Sequence, residues 1–142
     1  MLPATDMKNA MIPYRNKQYL LALVADQVPG NVDRAFWLNF FGKPTPFATG
    51  PEKGARNSDA AVLFAQIYKP RRGHYIAEFF VVTENASLLP EGEITRRYVT
   101  YLEEVIHQHP EVWLWSHRRW KKEWKEEYRR LWIGEAGLMP GE

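Results

Sequence analysis

Apolar residues along the chain cluster in three runs of strand length. Residues 19–25 (YLLALVA) are continuously apolar and end at Asp26 and Gln27, followed by the turn-forming pair Pro29 and Gly30. This pattern predicts a buried strand with polar groups at its carboxyl end. Residues 61–68 (AVLFAQIY) and 74–83 (HYIAEFFVVT) flank a turn at 70–73 (PRRG), which predicts a β-hairpin.

Helical spacing and helix-start signals predict four helices. Residues 4–16 predict a short helix that stops near Pro13, and residues 49–52 (TGPE) start one that runs to about Asn57. A longer helix follows residues 90–92 and ends at Pro110, because its apolar residues share one face. These residues are Ile94, Tyr98, Tyr101, Leu102, Val105 and Ile106. Residues 119–132 predict the last helix. Its aromatic stripe consists of Trp120, Trp124, Tyr128 and Trp132.

Two segments lack a regular pattern. Residues 28–49 contain prolines and glycines among five aromatic residues, and they predict a long loop pinned by aromatics. The tail from Gly134 to the end is expected to be frayed. The order of elements is then β, long loop, α, β, β, α, α, which indicates an α/β or α+β layered fold. A length of 142 residues suits a single domain over residues 1–142.

Composition and charge narrow the possible partners. The chain has no cysteine, which excludes disulfides and thiolate metal sites. The net charge is +2, but residues 118–130 hold seven Lys/Arg and three Glu, so +4 is concentrated there. This asymmetry favours an anionic partner: a phosphate group, a nucleic acid or a membrane surface. No apolar run reaches the length of about 20 residues that spans a bilayer, and residues 1–12 lack a signal-peptide core.

Two candidate sites combine a polar residue with the end of an element. Asp26 follows the predicted strand 19–25, where α/β sheets collect their chemistry, although an aspartate there also closes a turn. Thr49, Gly50 and Glu52 lie at a predicted helix N-terminus, whose free N–H groups attract anions. Glu52 can instead satisfy the helix dipole itself, and this structural interpretation is favoured.

The richest segment is residues 110–121 (PEVWLWSHRRWK). His117, Arg118 and Arg119 could clamp a phosphate or carboxylate, or they could form a solvated basic face. Trp113 and Trp115 alternate as in a short strand and are predicted to point together into the core. The aromatic stripe of residues 119–132 is predicted to be a docking face or to lie at a membrane interface.

Histidine spacing argues against a zinc site. His107 and His109 are two residues apart, so they point to different faces of a helix, whereas a metal pair needs a spacing of three or four. No cofactor motif is found, because the chain has no P-loop, no G-x-G-x-x-G and no Ser–His–Asp elbow. We therefore expect no metal and no cofactor.

The ordered motifs resemble a known family, the lipid A biosynthesis acyltransferases, which are the late lauroyl and myristoyl transferases of Gram-negative bacteria. The resemblance rests on residues 25–27 (ADQ), 40–45 (FFGKPT), 49–53 (TGPEK), 61–62 (AV) and 110–121 (PEVWLWSHRRWK), and covers most of residues 19–122. It implies a glycerolipid-acyltransferase-like layered α/β fold, with a mixed sheet and flanking helices. It also implies transfer of a fatty acyl chain from acyl carrier protein to a hydroxyl of a lipid A precursor, at the cytoplasmic face of the inner membrane.

The resemblance assigns roles by motif. Asp26 matches an aspartate of the family's active-site set and is expected to support catalysis. The expected substrate-binding residues are Gln27, Thr49, Gly50, Glu52, His117, Arg118 and Arg119. An anionic membrane surface is the remaining expected partner.

The family's general base has no counterpart in this sequence. The family uses a histidine in an H-x4-D/E motif, but the residues five positions after the four histidines are Phe79, Val112, Leu114 and Lys122. The family's N-terminal membrane anchor has no counterpart either. The chain is therefore expected to correspond to the C-terminal half of such an enzyme and to be inactive alone, since a general base contributes a factor of about 10²–10⁴.

Uncovered sheet edges and apolar faces of such a half domain predict a homodimer. The alternative function is a basic, aromatic module that binds nucleic acid or a protein partner. Nucleic acid is not expected as a partner, because no recognisable nucleic-acid motif is present.

Overall fold

The computed structural model describes residues 7–14, 16–135 and 137–140 of the 142-residue chain. The described regular elements are α1 (Met7–Ala10), β1 (Phe36–Phe40), β2 (Lys43–Phe47), α2 (Gly50–Asn57), β3 (Val62–Arg71), β4 (His74–Thr83) and α3 (Glu93–Gln108). Short 3-10 helices cover Ile12–Tyr14, Val32–Arg34, Ala86–Leu88, Pro110–Val112 and Glu126–Leu131. The chain is therefore a mixed α and β protein, as predicted.

The sheet arrangement differs from the predicted mixed sheet. The described strands form two separate antiparallel sheets of two strands each, β1–β2 and β3–β4. The β3–β4 hairpin is the one predicted from two apolar runs that flank the turn at 70–73, with Phe64 opposite Phe80 and Gln66 opposite Glu78.

The β1–β2 hairpin replaces part of the predicted loop 28–49, and its turn explains the error. Phe41 and Gly42 both have positive φ, at 51° and 69°, as the two central residues of a type I′ hairpin turn require. Phe40 pairs with Lys43 across this turn, so Pro44 and Pro46 fall at alternate pairs that exchange no ladder hydrogen bonds. The two prolines, which suggested a loop, therefore cost the hairpin no ladder bond.

The predicted buried strand at residues 19–25 is wrong. This segment has no regular structure, and Leu20 and Val24 are 84% and 78% exposed. Among the described residues no strand pairs with it. An apolar run becomes a buried strand only when a neighbouring strand supplies hydrogen bonds and cover, and here none does.

Helix α3 matches its prediction and carries the core. Its buried residues include Ile94, Val99, Val105 and Ile106. Val99 and Ile106 join a hydrophobic cluster with Leu38, Phe40, Phe47 and Trp113, so α3 packs on the β1–β2 hairpin. Helix α2 also lies within its predicted bounds.

The predicted helix at 119–132 is reduced to the 3-10 helix Glu126–Leu131. Its aromatic residues do not form one outward stripe. Trp124, Tyr128 and Trp132 surround Trp37 of β1, with Tyr128 stacked on it at 4.8 Å between ring centroids. Backbone contacts hold this arrangement: Trp37 and Trp132 form a parallel bridge, and the Ile133 N–H donates to the Trp37 carbonyl. Tertiary packing on β1 has overridden the helical spacing.

The two chain ends only partly overlap the described residues. At the N-terminus, the predicted helix 4–16 is split into α1 and the 3-10 helix Ile12–Tyr14, and residues 4–6 and Arg15 lie outside the described residues. At the C-terminus, Ala136, Gly141 and Glu142 also lie outside them. The Leu138 carbonyl accepts a hydrogen bond from Asn39 at 3.1 Å. The frayed tail stays a prediction.

Candidate functional site

His117 joins the closing segment to the segment that follows residues 19–25. Its Nε2 accepts a hydrogen bond from the backbone N–H of Val28 at 3.3 Å. A series of tight turns holds His117 in place, since its own N–H donates to the Leu114 carbonyl and the Arg119 N–H donates to the His117 carbonyl. The bond sets an imidazole next to the segment that contains Asp26 and Gln27.

Arg119, two residues after His117, is fully buried. Its side chain has no exposed surface, and its Nη2 donates to the Pro46 carbonyl of β2 at 2.8 Å. The guanidinium carbon lies 4.2 Å from the centroid of the Phe47 ring, within the range of a cation–π contact. The Nε and Nη1 nitrogens have no hydrogen-bond partner among the described residues. Two donor groups of a buried cation are thus left without an acceptor.

Arg119 interacts electrostatically with Asp26 and Tyr98. Burial lowers the pKa of Arg119 to about 10, and the charge of Asp26 partly opposes this shift. Burial also raises the pKa of the Tyr98 phenol, with a further contribution from Asp26. At neutral pH the site therefore holds a protonated guanidinium and a neutral phenol.

The other predicted site residues have different surroundings. Asp26 is partly buried, whereas Gln27, Gly50 and Arg118 are exposed. Thr49 precedes α2 as predicted, but its hydroxyl donates to the Arg34 carbonyl and not to the helix.

Glu52 is 1% exposed and its carboxylate faces the start of α3. It accepts hydrogen bonds from the Gly92 N–H at 2.6 Å and from both the N–H and the hydroxyl of Thr95. Gly92 has a φ of 86°, a conformation that glycine adopts easily. Glu52 thus caps α3 from α2, and its role in substrate binding stays a prediction.

An aromatic cavity lies where two of the sequence motifs meet. It has a volume of about 260 Å³ and is lined by Phe41, Lys43, Ile106, Trp113, Trp115 and Trp120. Trp113 is buried, but Trp115 is 65% exposed, so the two do not point together as predicted. Residues 113–117 form turns and not a strand, which removes the expected alternation.

A family model for the bacterial lipid A biosynthesis acyltransferases matches residues 1–122. The chain belongs to this family. No curated protein and no solved structure shows detectable similarity to it. The matched residues include both Asp26 and Arg119, whose segments are joined by the Val28–His117 hydrogen bond. Both parts of the candidate site therefore lie within the family match.

The motifs predict Asp26, His117 and Arg119 as site residues, and that role stays a prediction. They do not include Phe47 and Tyr98, two neighbours of Arg119 in the structure. The helical pattern places Tyr98 on the apolar face of α3. Its phenolic oxygen was a signal, because a tyrosine among aliphatic helix positions brings a polar group towards the core.

The described residues of this family member contain neither a candidate metal site nor a membrane-spanning helix. No group of three or more His, Cys, Asp or Glu side chains in residues 7–14, 16–135 and 137–140 could hold a metal ion. None of the helices over the same residues is long and apolar enough to cross a bilayer.

Proposed function

We propose that this chain forms the substrate-holding part of a lipid A acyltransferase. The reaction is the transfer of a fatty acyl chain from acyl carrier protein to a hydroxyl of a lipid A precursor, at the cytoplasmic face of the inner membrane. Family membership supports the reaction class. The observation that carries the site assignment is the buried Arg119 guanidinium with two unpartnered nitrogens.

An anionic group of the substrate would complete the site. A buried cation with two unpartnered donor nitrogens is unfavourable, because it loses its hydration and regains too few hydrogen bonds. A phosphate or carboxylate oxygen offers acceptors that match the planar fork of arginine. Asp26 and His117 would then border the bound group, since the Val28–His117 bond holds their two segments together. In this proposal Asp26 supports the reaction and His117 and Arg119 bind substrate.

The proposed fold of the complete unit is the layered glycerolipid-acyltransferase domain, of which this chain supplies the C-terminal half. The two small sheets and the exposed apolar run at 20–24 suit a piece of a larger layered unit. The proton-accepting histidine would come from outside the 142 residues, because none of the four histidines lies in an H-x4-D/E pattern. Self-association into a homodimer stays a prediction, which light scattering can test.

The basic, aromatic module has little support as an alternative. Nucleic-acid binding through stacked bases needs exposed aromatic rings. Tyr128 is instead buried and Trp124 and Trp132 are partly buried, because all three pack around Trp37. Because these three rings pack on Trp37, they do not form a free face on which another protein could dock.

The test of the proposal separates binding from turnover. The purified chain is mixed with a lipid A precursor in detergent, and binding is measured by calorimetry for the unchanged chain, Arg119→Met and the exposed control variant Arg130→Met. We expect binding by the unchanged chain and by Arg130→Met, and at least about 10-fold weaker binding by Arg119→Met, since a lost charge-assisted contact is worth about 1.5–3 kcal/mol.

Turnover is measured separately with acyl-loaded acyl carrier protein. We expect none above the uncatalysed rate from the chain alone. Equal binding by Arg119→Met would remove Arg119 from the site, and turnover by the chain alone would refute the missing-base proposal.

A further inference from the structure

The β3–β4 hairpin has an outer face of apolar side chains, which the described residues leave exposed. Three cross-strand pairs lie on this face: Leu63 with Val81, Ala65 with Phe79, and Ile67 with Ala77. The larger side chains are well exposed, with Ile67 at 63%, Phe79 at 62% and Val81 at 69%. In a solvated antiparallel sheet, residues along each strand normally alternate, so that one face is apolar and packs on the core while the other is polar and faces water. A solvent-facing side made of apolar residues therefore needs an explanation.

The inner face of the hairpin already supplies the contacts with α3. Phe64 contacts Tyr98 and Tyr101 at 5.4 Å between ring centroids, Phe80 contacts Tyr101, and Tyr68 stacks on His109. The outer face is therefore not the side that attaches the hairpin to the protein.

The tip of the hairpin is cationic. Lys69, Arg71 and Arg72 surround the turn and are exposed. Residues 69–74 (KPRRGH) contain no carboxylate. Lys69 lies 5.9 Å from the centroid of the Tyr75 ring, which places a cation beside the 68%-exposed aromatic residue nearest the turn.

The hairpin's own carboxylate does not balance this charge. Glu78 lies on the inner face, where it accepts hydrogen bonds from Gln66 and from the Tyr68 hydroxyl. The outer face therefore combines an apolar surface with a positively charged end.

We propose that the β3–β4 hairpin docks on an anionic membrane surface. Its outer apolar face lies in the boundary between headgroups and acyl chains, and its arginine tip contacts lipid phosphates. Charge complementarity favours this occupant over a second copy of the chain, because the outer face of a second copy would present another cationic tip and no carboxylate. The proposal rests on the membrane location given under the proposed function, and it assigns that location to a surface separate from Arg119.

Vesicle sedimentation of the purified chain tests the proposal. The vesicles contain equal parts of phosphatidylglycerol and phosphatidylcholine, and neutral vesicles contain phosphatidylcholine alone. Phe79→Ser and Ile67→Ser are each expected to weaken binding roughly 10-fold or more, because each removes an apolar side chain from the lipid boundary. Arg71→Ala combined with Arg72→Ala is expected to weaken binding to anionic vesicles by roughly 30-fold, with little effect on neutral vesicles.

Two matched controls separate the hairpin from general effects. Leu88→Ser changes a leucine that is 80% exposed outside the hairpin, and Lys121→Ala with Lys122→Ala removes two exposed cations from the basic segment 118–130. The affinity of both control variants for anionic vesicles is expected to stay within about 3-fold of that of the unchanged chain. If the hairpin alone contacts the membrane, these residues do not touch it. Equal losses in the controls and the hairpin variants would overturn the assignment to the hairpin.

The absence of cysteine in the chain allows a direct measurement of insertion. A polarity-sensitive fluorophore is attached at Ala77→Cys on the outer face, or at Asn57→Cys on exposed α2 as the control. Anionic vesicles should shift the emission of the first label to the blue and leave the second unchanged. No shift at position 77 would overturn the proposal, whatever the total binding.

The remaining outcomes are distinguishable from failure of the proposed function. If light scattering shows that Phe79→Ser halves the particle mass while vesicle binding is unchanged, the face covers a second copy and the membrane proposal is wrong. Whether or not the hairpin binds vesicles, weaker precursor binding by Arg119→Met would support the proposed function independently.

Discussion

The imidazole of His117 and the backbone N–H of Val28 meet across 89 residues of sequence, at 3.3 Å. Because Nε2 is the acceptor, the neutral ring carries its proton on Nδ1. This bond links the segment with Asp26 to the segment with Arg119.

Replacing His117 should loosen the segment at Val28. His117→Ala removes the acceptor and leaves the Val28 N–H without a partner, which costs about 1 kcal/mol. Hydrogen exchange of the Val28 amide should become about 5-fold faster, since exchange follows the local opening free energy. His74→Ala, at the exposed hairpin tip, is the control and should leave this amide unchanged. Unchanged exchange in His117→Ala would show that other contacts hold the segment.

Replacing Arg119 should stabilise the protein while impairing its site. The pKa of Arg119 falls to about 10 on folding because burial disfavours the charged form, and this corresponds to about 3 kcal/mol of cost at neutral pH. Arg119→Met removes the charge but also the bond to Pro46, so we expect the free energy of unfolding to rise by about 1–2 kcal/mol in urea titrations. Arg118→Met should change it by less than about 0.5 kcal/mol. A decrease of more than about 2 kcal/mol in Arg119→Met would indicate a structural role.

Alkaline pH should act on Tyr98 and Arg119 in opposite directions. Burial raises the pKa of Tyr98 above its ordinary value of 10, so its contribution is complete below pH 10 and is lost as the unfolded phenol ionises above it. The pKa of Arg119 is lowered to about 10, so its unfavourable contribution decreases as pH rises through that value.

Tyr98→Phe should therefore abolish part of the alkaline loss of stability. Urea unfolding from about pH 8 to pH 11 should show a smaller decrease for Tyr98→Phe than for the unchanged protein. In an alkaline titration of folded Tyr98→Phe, the tyrosinate absorbance should lack the component that appears at the highest pH in the unchanged protein. Identical pH profiles for the two proteins would show that the phenol of Tyr98 ionises as easily when folded as when unfolded.

Glu52 should be among the most sensitive positions for stability. Glu52→Gln replaces one acceptor oxygen by an NH₂ group that faces N–H donors of α3, and the site is buried. We expect a loss of about 3 kcal/mol in the free energy of unfolding. Glu91→Gln is the matched control, because Glu91 is exposed and reaches Lys53 only at 3.9 Å, and it should change stability by less than about 0.5 kcal/mol. Equal effects at the two positions would contradict the capping role.

Local pattern was sufficient for the β3–β4 hairpin and for α3. In the hairpin, two apolar runs of strand length flank a turn at 70–73, and in α3 the apolar face recurs at helical spacing. Both elements take their form from interactions between residues near in sequence, which is what a sequence pattern records. The motifs that contain Asp26, His117 and Arg119 are likewise visible in the sequence, and their role in the site stays a prediction.

The errors occurred where distant partners decide. Pro44 and Pro46 suggest a loop until their places opposite β1 are known, and the apolar run 19–25 is no strand because no neighbour pairs with it. Residues 119–132 have helical spacing, but Trp37 draws Trp124 and Tyr128 into a different arrangement.

The amino-acid sequence by itself determined the family, the main helix, the long hairpin and the identity of the motif residues. The tertiary structure alone decided that Arg119 is buried with two unpartnered nitrogens, that Tyr98 shares its surroundings, and that Glu52 caps α3. The reason is physical: hydrogen bonding and desolvation of a charged side chain depend on which atoms surround it, and those atoms come from segments far apart along the chain.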